Sequence, residues 1–189
     1  ELTEQQNRLF YDEKNGGFFD TSGKDGSLLF RTKDDYDAAE PAGNSVAVMN
    51  LLRLAQMLNN EQWRALAERT LALFGSRLKE FPQAMPQMLC ALDFHLDKPR
   101  QIILAGRREG QDTKRLLREA HARYIPSKII LLSDGGDGQQ FLSRHIPFIE
   151  SMGMLDGKAT AYICENYACK LPTSDHVVMA RLLEPTRQQ

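Results

Sequence analysis

Between positions 46 and 58, apolar side chains fall on nearly every side of a helical wheel: Val46, Val48, Met49, Leu51, Leu52, Leu54, Ala55, Met57 and Leu58, interrupted by Asn50, Arg53 and Gln56. A helix patterned this way is buried on most sides. Residues 61–79 follow with a single stripe, Trp63, Leu66, Ala67, Thr70, Leu71, Phe74 and Leu78, which marks an outer helix. After the break at Phe81 and Pro82, the residues Met85, Met88, Leu89, Leu92 and Leu96 space a third helix. Its Pro86 falls in the first turn, where an N–H would have no helical partner in any case. Inner, outer, inner, joined by short turns, is the order of an antiparallel helical-hairpin array. Ahead of these helices, residues 2–10 read as the tail of a helix and Asn15, Gly16 and Gly17 as a turn. The turn formers of 21–26, followed by Leu28, Leu29, Phe30 and Arg31, predict a hairpin of two short antiparallel strands.

Beyond Asp97, Lys98 and Pro99 the pattern changes. Short apolar runs at 101–105, 128–133 and 159–164 read as strands. Helical segments follow each of them, at about 112–124, at 139–145 with Pro147 stopping it, and at 177–183 after Asp175. Strand and helix in alternation, three times, predict a small parallel α/β unit. The chain of 189 residues is long enough for two domains. The expected division is 1–97, helical with a β-hairpin insertion, and 98–189, α/β.

Charge narrows the partners. Formal net charge is −1 and neither sign runs in blocks, so neither nucleic acid nor a polybasic membrane contact is expected. No apolar stretch approaches the roughly 20 residues of a membrane span, and the first residues lack the charged-then-apolar order of a signal peptide. Three cysteines, an odd number, imply no disulfide framework, and the compartment is left open.

Two stretches resemble a known family. Residues 159–169, ATAYICENYAC, with Pro172 and Asp175 beyond them, and residues 33–45, KDDYDAAEPAGNS, with NLLRL at 50–54, are similar to the carboxyl-terminal part of the spermatogenesis-associated protein 20 family. The resemblance covers nearly the whole chain. It implies an amino-terminal thioredoxin-like domain, then an (α/α)6 toroid related to six-hairpin glycosidases and sugar epimerases, then a small α/β segment. On that reading residues 1–97 supply the last helices of the toroid. The partners implied are the amino-terminal toroid and thioredoxin-like parts of the same protein, with a sugar as candidate ligand and a role in spermatogenesis suggested by the family's name. No cofactor is implied.

In toroids of that kind the substrate lies where loops enter the inner helices, and residues 31–45 feed such a helix. Glycoside chemistry needs two carboxyls about 5 to 9.5 Å apart with unequal pKa values. Asp34, Asp37 and Glu40 are the candidates for those roles, and Arg31, Lys33, Tyr36 and Asn44 are candidates for holding sugar hydroxyls or a sugar face. The structural alternative has the acids solvating a helix start, with Asn44 or Ser45 accepting from free backbone N–H groups and the two cations paired with nearby acids. Tyr36 and Phe30 then serve in hairpin packing. The chain is accordingly a scaffold or carbohydrate-type binding module, or alternatively a glycoside hydrolase or epimerase-like enzyme.

Cys164 and Cys169, a C-x4-C pair leaving the third strand, carry three readings: buried thiols, a disulfide or redox pair, and metal ligation. Metal is the weakest, because Cys90, His95, His121, His145 and His176 show no zinc spacing. Gly106 and the glycines of 134–138 follow strands, where phosphates bind in α/β folds, but without a phosphate-loop fingerprint they read as turn glycines. Asp112 and Asp175 read as helix caps.

Overall fold

The apolar run after Gly43 folds as one helix in the computed structural model, which describes residues 1–24, 26–97, 99–165 and 168–184. The chain divides into two compact units, Glu1–Asp97 and Lys98–Gln189. In the first, α1 (Leu2–Phe10) precedes a long irregular segment, and α2 (Gly43–Leu58), α3 (Glu61–Leu73), α4 (Gly75–Glu80) and α5 (Pro86–Leu96) follow. The inner helix α2 packs against both α3 and α5. It buries Ala47, Val48, Leu51, Leu52 and Ala55, while Val46 stays exposed. Asn59 ends it in the left-handed conformation (φ 51°), which asparagine tolerates better than most residues. Asn60 then caps α3, its side chain accepting from the Trp63 N–H at 3.0 Å. These two adjacent asparagines make the tight reversal between α2 and α3.

The stretch 61–79 is two helices rather than one. Phe74 leaves helical geometry (φ −90°, ψ 5°) and Gly75, a weak helix former, opens α4. A 3-10 turn at Pro82–Ala84 leads into α5, with Pro86 at its first position.

The predicted hairpin does not form. Among the described residues of 18–40 there is no strand; an isolated bridge joins Tyr11 and Phe18, and the Asp20 N–H donates to the Thr32 carbonyl. A strand needs a face to bury. Leu29 and Phe30 are 96% and 75% exposed, so this run has none. Asp25, in the predicted turn, lies outside the described residues. Gly16 and Gly17 do form a turn, both at positive φ, lying against α3. Gly17 lies at φ 77°, a backbone conformation that favours glycine, and packs beside the Leu73 side chain.

The second unit is a four-stranded sheet in the order β2-β1-β3-β4, with β1 Arg100–Ala105, β2 Ile129–Ser133, β3 Thr160–Glu165 and β4 Ala168–Cys169. Helix α6 (Gln111–Ala122) makes the crossover that parallel β1 and β2 require. Helices α7 (Asp137–Ser143) and α8 (His176–Leu182) complete the unit. Ile102, Leu104 and Ile163 pack with Leu116 and Ala120 of α6 and Met179 of α8 in its core.

The sheet is mixed, not parallel. β3 runs antiparallel to β1, with Ile102 opposite Ile163, and β4 antiparallel to β3. Apolar runs give a strand's existence and not its direction. Asp156-Gly157, both at positive φ, are flanked by a bridge between Leu155 and Lys158. A two-residue turn of this composition reverses the chain just ahead of β3.

Gly106 ends β1 for a packing reason: a Cβ there would stand 2.3 Å from Thr113 Oγ1 of α6. Cys164 is buried and joined by a disulfide to its direct cross-strand partner Cys169, while Cys90 is a free, exposed thiol. The intervening Asn166 and Tyr167 of the 159–169 motif lie outside the described residues. Thiol titration of unreduced protein in denaturant is therefore expected to find one reactive group per chain, and three after reduction. Reduction should also cost the second unit about 2 kcal/mol, the loop-closure value for so short a ring. Three thiols without reduction would refute the bond.

Candidate functional site

Residues 31–45 enter α2 beside the Gly16-Gly17 turn, and the structure assigns most of their polar groups to the backbone. Asp37 is buried. Its Oδ1 accepts from the Ala42 N–H at 2.8 Å, and its Oδ2 from the N–H groups of Gln87 at 2.8 Å and Met88 at 3.4 Å. Its own N–H donates to the Ala84 carbonyl at 2.8 Å. Neither α2 nor α5 has a side-chain cap of its own, from Ala42 or Met85 respectively. One carboxylate from a distant part of the sequence thus satisfies free donors at the start of α5 and fixes the entry to α2.

Asn44 works alongside it. It is fully buried, accepts from the Phe18 N–H at 2.7 Å through Oδ1, and donates through Nδ2 to the carbonyls of Phe18 at 2.9 Å and Asp34 at 3.2 Å. The side-chain amide does for Phe18 what a neighbouring strand would do. The predicted helix-start role of Asn44 is replaced by this remote pairing, since none of its partners lies in α2.

The cations have local partners. Lys33 Nζ lies 2.8 Å from Asp12 Oδ2 and donates to the Gly16 carbonyl at 2.6 Å. Asp12 also accepts from Lys14 N–H, Asn15 N–H and the Asn15 amide. Lys33 first, then these donors, hold its carboxyl well below the usual carboxylate range. Arg31 donates to the carbonyls of Thr21 and Leu9 and lies 3.9 Å from the Phe19 ring centroid. Of the remaining candidates, Asp34 is exposed and accepts from the Tyr36 N–H at 3.2 Å, and Glu40 is exposed. Tyr36 is 54% exposed, so neither it nor Phe30 packs a hairpin.

A cavity of about 310 Å3 does lie here, lined by Gln6, Phe10, Phe18, Phe19, Asp20, Gly43 and Asn44. Asp34, Asp37 and Glu40 are not in its lining. The acid that is, Asp20, was not picked out by the motif, and it accepts from the Thr32 hydroxyl at 2.8 Å and the Asp34 N–H at 3.1 Å.

In the second unit Asp175 caps α8, accepting from the Val177 N–H at 2.7 Å. Asp112 is not the cap of α6, which is Gly110. Its carboxylate instead accepts from Thr113 N–H at 2.9 Å and Ala159 N–H at 2.8 Å, stitching α6 to the approach to β3. Among the described residues no three His, Cys, Asp or Glu side chains gather as a metal site. No described helix is long and apolar enough to cross a membrane.

Fold and geometry together define a helical unit with a backbone-binding acid clasp and a mixed-sheet α/β unit. The chain is 40% identical over 185 residues to spermatogenesis-associated protein 20 of Homo sapiens, covering 97% of this chain and 23% of that protein. The Mus musculus protein of that name is 38% identical, with 96% and 23% covered, and an uncharacterized protein of Caenorhabditis elegans is 29% identical, with 82% and 21% covered. The chain belongs to the spermatogenesis-associated protein 20 family, as its carboxyl-terminal part, and spans about a quarter of the length of these relatives. No family model matches it, and no solved structure does.

Asp37→Ala leaves three backbone donors without an acceptor and is expected to cost about 3 kcal/mol in urea unfolding followed by Trp63 fluorescence. Asp34→Asn and Glu40→Gln should each change stability by less than about 0.5 kcal/mol. Equal effects of all three would refute the clasp. For Asp12 the folded carboxyl is the depressed one, so its contribution is present at neutral pH and is lost as pH falls through the folded value. Lys33→Met should raise the Asp12 carboxyl toward its ordinary value, read by NMR titration, and move acid unfolding to higher pH.

Proposed function

We propose that this chain is a non-catalytic scaffold segment of a larger thioredoxin-like and toroid protein, and that α2, α3 and α5 are helices of its (α/α)6 toroid. The observation that carries this reading is the commitment of Asp37. A general acid or nucleophile needs a carboxylate open to substrate, whereas both Asp37 oxygens accept from main-chain N–H groups in a buried position. Asp34 and Glu40 are left on the surface without a shared cavity. The central place of α2 between α3 and α5 agrees with an inner toroid helix. The relatives' printed name ties them to spermatogenesis, and we extend that association to this chain as part of the proposal.

The cavity beside α1 supports a binding role within the scaffold. Phe10, Phe18 and Phe19 supply apolar surface, while Gln6 and Asp20 supply polar groups, a mixture suited to a sugar ring. Titrating simple sugars into isotope-labelled protein should shift the amides of Gln6, Phe18, Phe19 and Asp20. Asp34→Asn and Glu40→Gln should leave those shifts unchanged, and no sugar should be hydrolysed or epimerised. Turnover abolished by Asp34→Asn, Asp37→Asn or Glu40→Gln, in variants that still fold, would overturn the scaffold reading in favour of a carbohydrate-active enzyme.

A further inference from the structure

A cavity of about 460 Å3 lies within the α/β unit, where α6 meets the approach to α8. Gln111, Arg115 and Arg118 stand four and then three residues apart on α6, so they share one face of it. The carboxylate Asp112 also lines the cavity, together with Leu116, Ser174 and His176.

The polar groups here are unevenly satisfied. Arg115 Nη2 is 2.9 Å from His176 Nε2. A guanidinium only donates, so Nε2 is the acceptor, which puts the ring proton of the neutral imidazole on Nδ1, 3.7 Å from Asp175 Oδ1. This contact uses one of the five N–H groups of Arg115. Arg118 has no hydrogen bond or ion pair among the described residues. The two nearby acids are already engaged with the main chain, Asp112 with Thr113 and Ala159, and Asp175 with Val177. Arg107 also acts on Asp112. Asp112 and Asp175 thus each accept from the main chain, and neither is paired with Arg118.

We propose that the cavity lined by Arg115, Arg118, Ser174 and His176 binds a phosphate group, inorganic or carried on a small organic molecule. A tetrahedral oxyanion can accept from two guanidinium forks at once and from a hydroxyl or amide beside them, whereas a planar carboxylate is matched by a single fork. The site lies in the second unit, so it stands or falls independently of the sugar cavity and the scaffold reading.

The test is an NMR titration of the full chain at constant ionic strength with inorganic phosphate, with phenyl phosphate, and with chloride as control. The expected result is saturable shifts of the amides at 115–118 and 174–177 with phosphate but not chloride. Arg115→Gln and Arg118→Gln should each weaken binding about tenfold, the size of one charge-assisted hydrogen bond. Tighter binding of phenyl phosphate supports an organic carrier, and equal binding supports the free ion. Both substituted side chains are exposed, and unchanged thermal melting verifies that the variants fold. Competition by sulfate on the unaltered protein gives a readout that needs no variant. Linear shifts matching those of chloride, or saturable shifts that persist in the double variant, would overturn the proposal.

Discussion

The helical unit depends on the need to satisfy free N–H groups where helices begin. Helices α2 and α5 start at Gly43 and Pro86 with no capping side chain of their own, and the buried Asp37 carboxylate supplies the missing acceptors. A buried carboxylate is costly unless its oxygens are bonded, and donors at helix starts are costly unless they find acceptors. Each requirement meets the other. Asn44 extends the arrangement by pairing with both backbone groups of Phe18, which fixes the irregular segment against the first turn of α2. This side-chain pairing takes the place that a ladder between strands would have at Phe18.

The same economy appears in the second unit with a different acid. Asp112 accepts from its own helix start and from Ala159, so α6 and the entry to β3 share one carboxylate. Lys128 serves the other end of α6, donating to the carbonyls of Ala120 and Arg123. With the ends of α6 satisfied by Asp112 and Lys128, the exposed arginines of α6 are not used to cap it. That separation leaves Arg115 and Arg118 available for a ligand, while Arg31 and Lys33 are held by carbonyls, a carboxylate and the Phe19 ring.

How much was legible follows from the range of each signal. Helix α2 and the stripe of α3 were readable because their periodicity is local, and the capping of α8 by Asp175 because cap and donor are two residues apart. Turn formers beside apolar residues predict strands whether or not a partner surface exists, and Leu29 and Phe30 have none. The acidic stretch leads into α2, as its position ahead of the apolar run predicts. Its chemistry is not legible there, since two of the three donors that engage Asp37 lie 50 and 51 residues away. Apolar runs say nothing of strand direction, so the antiparallel pairing of β3 with β1 is visible only in the folded chain.

By itself, the sequence determined the elements whose causes are local: apolar period, helix-breaking proline and glycine, and turn dipeptides. Its similarity to longer relatives also fixed the family. Only the tertiary structure decided that the charged stretch at 31–45 is largely a clasp, that Cys164 faces Cys169 across two antiparallel strands, and that Arg115 meets His176. The physical reason is the same in each case. A side chain's chemistry depends on which donors and acceptors reach it, and those come from parts of the chain that only folding brings near.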